Sequence, residues 1–203
     1  MNIAKLVSAR SAAVVAATAM ASIAAMALPA AAHTPVILTA QDQVPWVAPL
    51  VVDGTDPMGL YGVVDHAGEV RSAQLHFTAG QEVNIALVIP DEAPENTLTA
   101  AQLPTVTLID PQLHVTQLTP ALRVPITDGD SGNHFLLLLS YDATAVSGTY
   151  SVIVSSHAAE RFALSTGIES EEFHGVLRAT VATEDAVEDW YTTPPAVRNH
   201  YHG

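Results

Sequence analysis

The chain has no cysteine. Disulfides, thiolate nucleophiles and cysteine-based metal sites are excluded, and so is a lipid-modified cysteine anchor. Cations are also scarce: Lys and Arg total 7 against 21 Asp and Glu, a formal net charge of −14. Nucleic-acid binding rests on neutralising phosphates, so that class is excluded too. Docking on anionic lipid is disfavoured for the same reason. Aromatics make up 5% of the chain, and Trp46 and Trp190 are its two tryptophans. That is few for a carbohydrate-binding sandwich, which presents several exposed ring platforms. Both tryptophans read as packing anchors of their own segments. Catalytic signatures are missing as well: there is no G-x-S-x-G elbow and no H-E-x-x-H helix. Glu169, Glu171 and Glu172 lie too close together for a flanking acid/base pair and read as a solvated helix start. An enzyme is not expected.

Long apolar runs are lacking beyond the first 32 residues. Those residues begin with Lys5 and Arg10, continue as an alanine-rich stretch from Ser11 to Leu28, and end in Pro29-Ala30-Ala31-Ala32. A cationic start, an apolar middle and a small-residue end describe a signal peptide, here a signal helix over 1–32. An uncleaved anchor is the competing reading, opposed by the alanine content and by Pro29. The mature chain is expected to be secreted or periplasmic, with no membrane span after cleavage. Cleavage after Ala32 makes His33 the N-terminus and leaves five arginines against 21 carboxylates. So acidic a surface suits solubility, cation binding or a cationic partner.

From His33 to about residue 166, short β patterns follow one another. Val47–Val52 is apolar but interrupted by Pro49, as at an edge. Leu60–Val64 follows the turn cluster Asp53-Gly54-Thr55-Asp56-Pro57. Val70–Phe77 alternates, with Ala73, Leu75 and Phe77 on one face. Val83, Ile85, Leu87 and Ile89 alternate after the turn Thr78–Gln81, and the pair reads as an antiparallel hairpin. Pro90–Leu103 reads as a polar loop holding Asp91, Glu92 and Glu95. Thr105–Ile109, a weak Ala121–Ile126, a continuous Phe135–Leu139, Thr149–Ser155 and Arg161–Ser165 complete the series. The fold class expected is all-β: an antiparallel, jelly-roll-like β-sandwich of seven to nine short strands. A short helical C-terminal extension follows it.

In that extension, Ile168–Val181 carries acids early and Arg178 late, as suits a helix dipole. Phe173, Val176 and Leu177 fall at helical spacing. Thr183 to Tyr191 reads as a second helix with Thr183 as N-cap and Glu184 and Asp185 in its first turn. The domain reading is a sandwich over 33–167, a helical extension over 168–192 and a disordered tail over 193–203.

Three segments carry a family resemblance. They are Phe77-Thr78-Ala79-Gly80-Gln81-Glu82-Val83-Asn84-Ile85, Thr105-Val106-Thr107-Leu108-Ile109-Asp110-Pro111 and Ser147-Gly148-Thr149-Tyr150-Ser151-Val152-Ile153-Val154. In this order they resemble the bacterial pre-peptidase C-terminal-like domain, over roughly residues 58–166. The resemblance implies a small jelly-roll-like sandwich with a non-catalytic accessory or binding role. It brings no catalytic residues. The chain departs from the family's usual setting in having no attached enzyme domain and in its C-terminal helical segment.

Nine histidines are many for this length. An N-terminal His33 offers an α-amine and a ring nitrogen together, and a second imidazole completes a copper-binding histidine brace. His66, His76 and His114 are the candidate partners; the competing reading is an ordinary N-terminal residue. His200 and His202 read as two imidazoles on a flexible tail, His134 as a strand-end residue, and His157 and His174 as isolated. Asp128 and Asp130 in Asp128-Gly129-Asp130-Ser131-Gly132 have calcium-ligand spacing, with Asp53 and Asp56 a weaker case. A plain turn explains the same residues. The function expected is an exported, non-enzymatic module that binds a protein or a cell-envelope partner. The alternative is an extracytoplasmic copper- or metal-binding protein using His33.

Overall fold

The computed structural model describes residues 33–129, 131–167 and 173–195. The proposed signal peptide, Asp130, the acids Glu169, Glu171 and Glu172, and the tail with His200 and His202 lie outside them. The described residues form two sheets of six strands each, packed face to face. In chain order the strands are β1 (Thr34–Ile37), β2 (Leu50–Val51), β3 (Met58–Val64), β4 (Val70–Phe77), β5 (Glu82–Pro90), β6 (Thr105–Ile109), β7 (Val115–Leu118), β8 (Val124–Thr127), β9 (His134–Thr144), β10 (Gly148–Ser155), β11 (Glu160–Thr166) and β12 (Val176–Leu177). The first sheet runs β1-β3-β11-β5-β9-β8 and the second β12-β2-β4-β10-β6-β7. Antiparallel pairing dominates, while β1 beside β3 and β2 beside β4 run parallel. The β-sandwich expectation holds. The strand count exceeds it because short edge pieces such as β1, β7 and β12 carry little pattern of their own.

The expected hairpin between β4 and β5 is not there. β4 pairs with β10 and β2, and β5 pairs with β11 and β9, so the two lie in opposite sheets. The reason is burial. Ala73, Leu75 and Phe77 on β4, and Val83, Ile85, Leu87 and Ile89 on β5, are all buried in one core. Placing the strands in opposing layers lets the two apolar faces cover each other, with Thr78–Gln81 as the arch between them.

The continuous apolar run of β9 is explained by cover on both sides. Leu136, Leu138 and Leu139 enter the inter-sheet core, while Phe135 joins a second cluster on the outer face. A bulge between Leu87 and Val88 shifts the β5–β9 register there. The lid of that outer cluster is helix α1 (Glu184–Thr192), whose Trp190 and Tyr191 are buried against Val88, Phe135 and Ala163. Trp190 Nε1 donates to Gly62 O at 3.0 Å, and its ring meets Tyr61 edge-on at 4.9 Å. Gly62 is required where it stands, since a Cβ there would lie 2.3 Å from the Phe162 ring.

Thr183 caps α1 as expected, its Oγ1 accepting from Ala186 N at 3.2 Å. The expected helix over 168–181 is corrected for its described part: 173–183 contains no helix, and Val176–Leu177 is strand β12, paired with β2. Phe173 and Leu177 are exposed rather than turned to a core. The isolated helical spacing lost to a sheet edge that offered Val176 a place against the core.

A candidate docking surface on one lateral edge

Trp46 is 71% exposed. This corrects the expectation that it anchors its own segment. It sits in the loop between β1 and β2, and that loop is fastened from below. Asp42 Oδ2 accepts from Thr39 N at 2.6 Å and Thr39 Oγ1 at 2.8 Å. Ser72 N donates to Asp42 O at 2.6 Å, and Ser72 Oγ to Gln43 O at 3.0 Å. Pro45 precedes the ring, and Val47 N returns to Val44 O at 3.2 Å. The tryptophan is held outward by a fixed turn.

Beside it, from Val47 onward, lies a groove of about 670 Å³ whose lining mixes apolar Ile37, Val47, Pro49 and Val181 with polar Thr39, Gln41, Asp42, Arg178 and Thr180. Arg178 forms part of its wall in a left-handed backbone conformation, φ 62°. Non-glycine residues rarely adopt it. Two bonds hold the side chain: Nε donates to Ala48 O and Nη2 to Gln74 Oε1, each at 2.6 Å. Val47, Leu177 and Val181 are exposed around the same edge. Segment 34–52 contributes a single carboxylate, the buried Asp42, and 173–183 contributes none. On so acidic a chain this is a carboxylate-poor face of mixed polarity, and the chain carries on from Ala182 in its wall to Glu184 and Asp185 in the first turn of α1.

The cations do not offset the acids elsewhere. Arg71 and Arg161 are buried. Arg123 donates to the carbonyls of Leu98, Asn96 and Glu95. All four arginines among the described residues are thus engaged within the fold.

The sequence-derived metal candidates are scattered. His33 precedes β1, with Nε2 2.8 Å from Ser165 Oγ. His76 Nδ1 is 3.2 Å from Thr149 Oγ1, and His114 Nδ1 is 2.9 Å from Asp110 Oδ2. These three share one end of the sandwich, by the register of β1, β4 and β6. His66 is at the other end, with Nδ1 3.8 Å from Glu69 Oε2. Among the described residues no group of three or more His, Asp or Glu side chains is arranged to hold a metal ion. Asp128 is used by its own turn, accepting from Ser131 N at 3.0 Å and from Ser131 Oγ. Asp53 likewise holds its turn: burial works to raise its pKa, but bonds from Thr55 outweigh that and keep the carboxyl below its usual range.

Two arrangements had no sequence signal. Asp56 is fully buried, and its Oδ2 accepts from His174 N at 2.8 Å while Oδ1 lies 2.8 Å from His174 Nδ1. Glu95, expected in a solvated loop, is fully buried against Arg161. Both pairs join residues far apart in the chain, so no local pattern marks them.

Neither a protein-family model nor a curated protein sequence matches the chain. Of the segments that resemble the pre-peptidase C-terminal-like domain, the first forms the arch from β4 to β5, the second is β6 and the third is β10. Among solved structures the chain is similar to PliG of Aeromonas hydrophila, a periplasmic lysozyme inhibitor of g-type lysozyme. The identity is 16% over 67% of this chain and 96% of that one, with a TM-score of 0.33.

Proposed function

We infer that the protein is an exported, non-enzymatic β-sandwich that binds another protein through the Trp46 edge. The observation that carries the reading is Trp46 itself: a large ring, 71% exposed, held outward by a locked turn beside a groove with both apolar and polar walls. Tryptophan is among the residue types enriched at the few interface positions that dominate binding, where truncation costs about 2 kcal/mol or more. Leaving it in water gains nothing for the fold. The chain's net charge favours a cationic partner and speeds its approach.

The test is affinity capture from an extracytoplasmic fraction on immobilised protein, comparing the wild type with Trp46→Ser and Val181→Asp. A specific cationic protein retained by the wild type and lost from both variants is expected. Identical retention on all three resins overturns the reading.

A further inference from the structure

Two sheets of this kind expose four edge strands, each a template for pairing with another chain. Three of them are guarded. β8 carries Pro125. β12 is two residues long and runs into Arg178. β1 is covered by the approach to α1, where Ala182 N donates to Pro35 O at 2.8 Å. The fourth, β7, is Val115-Thr116-Gln117-Leu118, with neither a charge nor a proline. It is bound to β6 on one side and ends the sheet on the other.

The charge pattern is compatible with contact at the same place. The chain has 21 carboxylates in 203 residues, yet from Pro111 to Thr127 there is none. That stretch contains β7 and β8, and it exposes Leu113 (80%), Val115 (63%), Leu122 and Val124. Two copies of a chain with a net charge of −14 repel each other overall. At an edge free of carboxylates a second copy meets little of that repulsion locally.

We propose that β7 pairs antiparallel with β7 of a second copy of this chain, joining the two second sheets edge to edge across a two-fold axis. The two-residue period of a strand sets the register. Thr116 and Leu118 share one face, Val115 and Gln117 the other. To keep like faces together, the axis must pass through a residue, Thr116 or Gln117, and not between them. The interface lies at the end of the second sheet opposite β12. The Trp46 groove therefore stays open on both copies, and this inference does not rest on what that groove binds.

The experiment is sedimentation velocity over a wide concentration range, with Gln117→Glu as the variant. Gln117 Oε1 accepts from Thr107 Oγ1 at 2.8 Å, and a glutamate keeps that acceptor while placing like charges across the axis. The wild type is expected to form a dimer that tightens with added salt, and Gln117→Glu to weaken it at least tenfold, on the order of the cost of desolvating facing like charges. Because the chain has no cysteine, Thr116→Cys and Gln117→Cys report cleanly. Directly opposed strand residues have Cα atoms about 4.5–5.5 Å apart, within disulfide range. One of the two is expected to cross-link on oxidation. A chain still monomeric at about 1 mM, a dimer indifferent to Gln117→Glu, or failure of both cysteines to cross-link overturns the proposal.

Discussion

Arg161 lays its guanidinium across the carboxylate of Glu95, Nε to Oε1 at 2.8 Å and Nη2 to Oε2 at 2.7 Å, with both side chains fully buried. The same Oε1 accepts from the Arg161 backbone N at 2.8 Å, and Nη1 donates to Tyr191 O. One ion pair thus ties the loop after β5, strand β11 and the end of helix α1 together. Removing one partner leaves a buried charge without compensation. Glu95→Leu and Arg161→Met are each expected to cost about 3–5 kcal/mol. The double variant should cost less than either single one, because no orphan charge remains. Urea unfolding of the four proteins checks this.

Neighbouring Glu160 points the other way, into the inter-sheet core beside Val64, its pairing partner on β3. Burial pushes its carboxyl from 4.5 up to about 8, against the bond from Ser156 Oγ and with help from the Glu95 charge. The unfolded carboxyl ionises near 4.5, so between 4.5 and 8 folding takes up a proton. Its contribution is fully present below 4.5 and is lost as pH rises through 8. The slope is roughly 1.4 kcal/mol per pH unit at most. Glu160→Gln keeps the Ser156 contact and should stabilise the protein at pH 7 by up to about 3 kcal/mol. Thermal unfolding from pH 5 to 8 should show a flatter dependence for the variant.

Trp190 closes the outer cluster of the first sheet. Trp190→Ala removes a fully buried ring and its bond to Gly62 O. A loss of about 3–5 kcal/mol is expected in denaturant unfolding.

Trp46 should behave oppositely. Its ring is mostly in water, so Trp46→Ser should change stability by no more than about 0.5 kcal/mol. Thermal unfolding of this variant beside Trp190→Ala separates a binding tryptophan from a structural one.

What was legible in the sequence follows the range of each signal. Val70–Phe77 and Thr105–Ile109 match β4 and β6 residue for residue, because a two-residue alternation ending at a turn is local information. Thr183 and the acids after it marked the start of α1 for the same reason. Alternation does not say which sheet a strand joins, so the arch at Thr78–Gln81 read as a hairpin. Glu95 looked solvated because its partner is 66 residues away. Trp46 looked like an anchor because exposure is decided by how the turn is fastened, through Asp42 and Ser72, and not by the neighbours Pro45 and Val47.

The most direct measurement is acrylamide quenching of tryptophan fluorescence in the unaltered protein. Alone, one of the two tryptophans should quench freely and the other hardly at all, matching Trp46 at 71% and Trp190 at 1% exposure. With the captured partner at saturation, the freely quenched fraction should disappear and the emission shift to the blue. An unchanged quenching curve with the partner bound would contradict the assignment of the Trp46 edge as the binding surface.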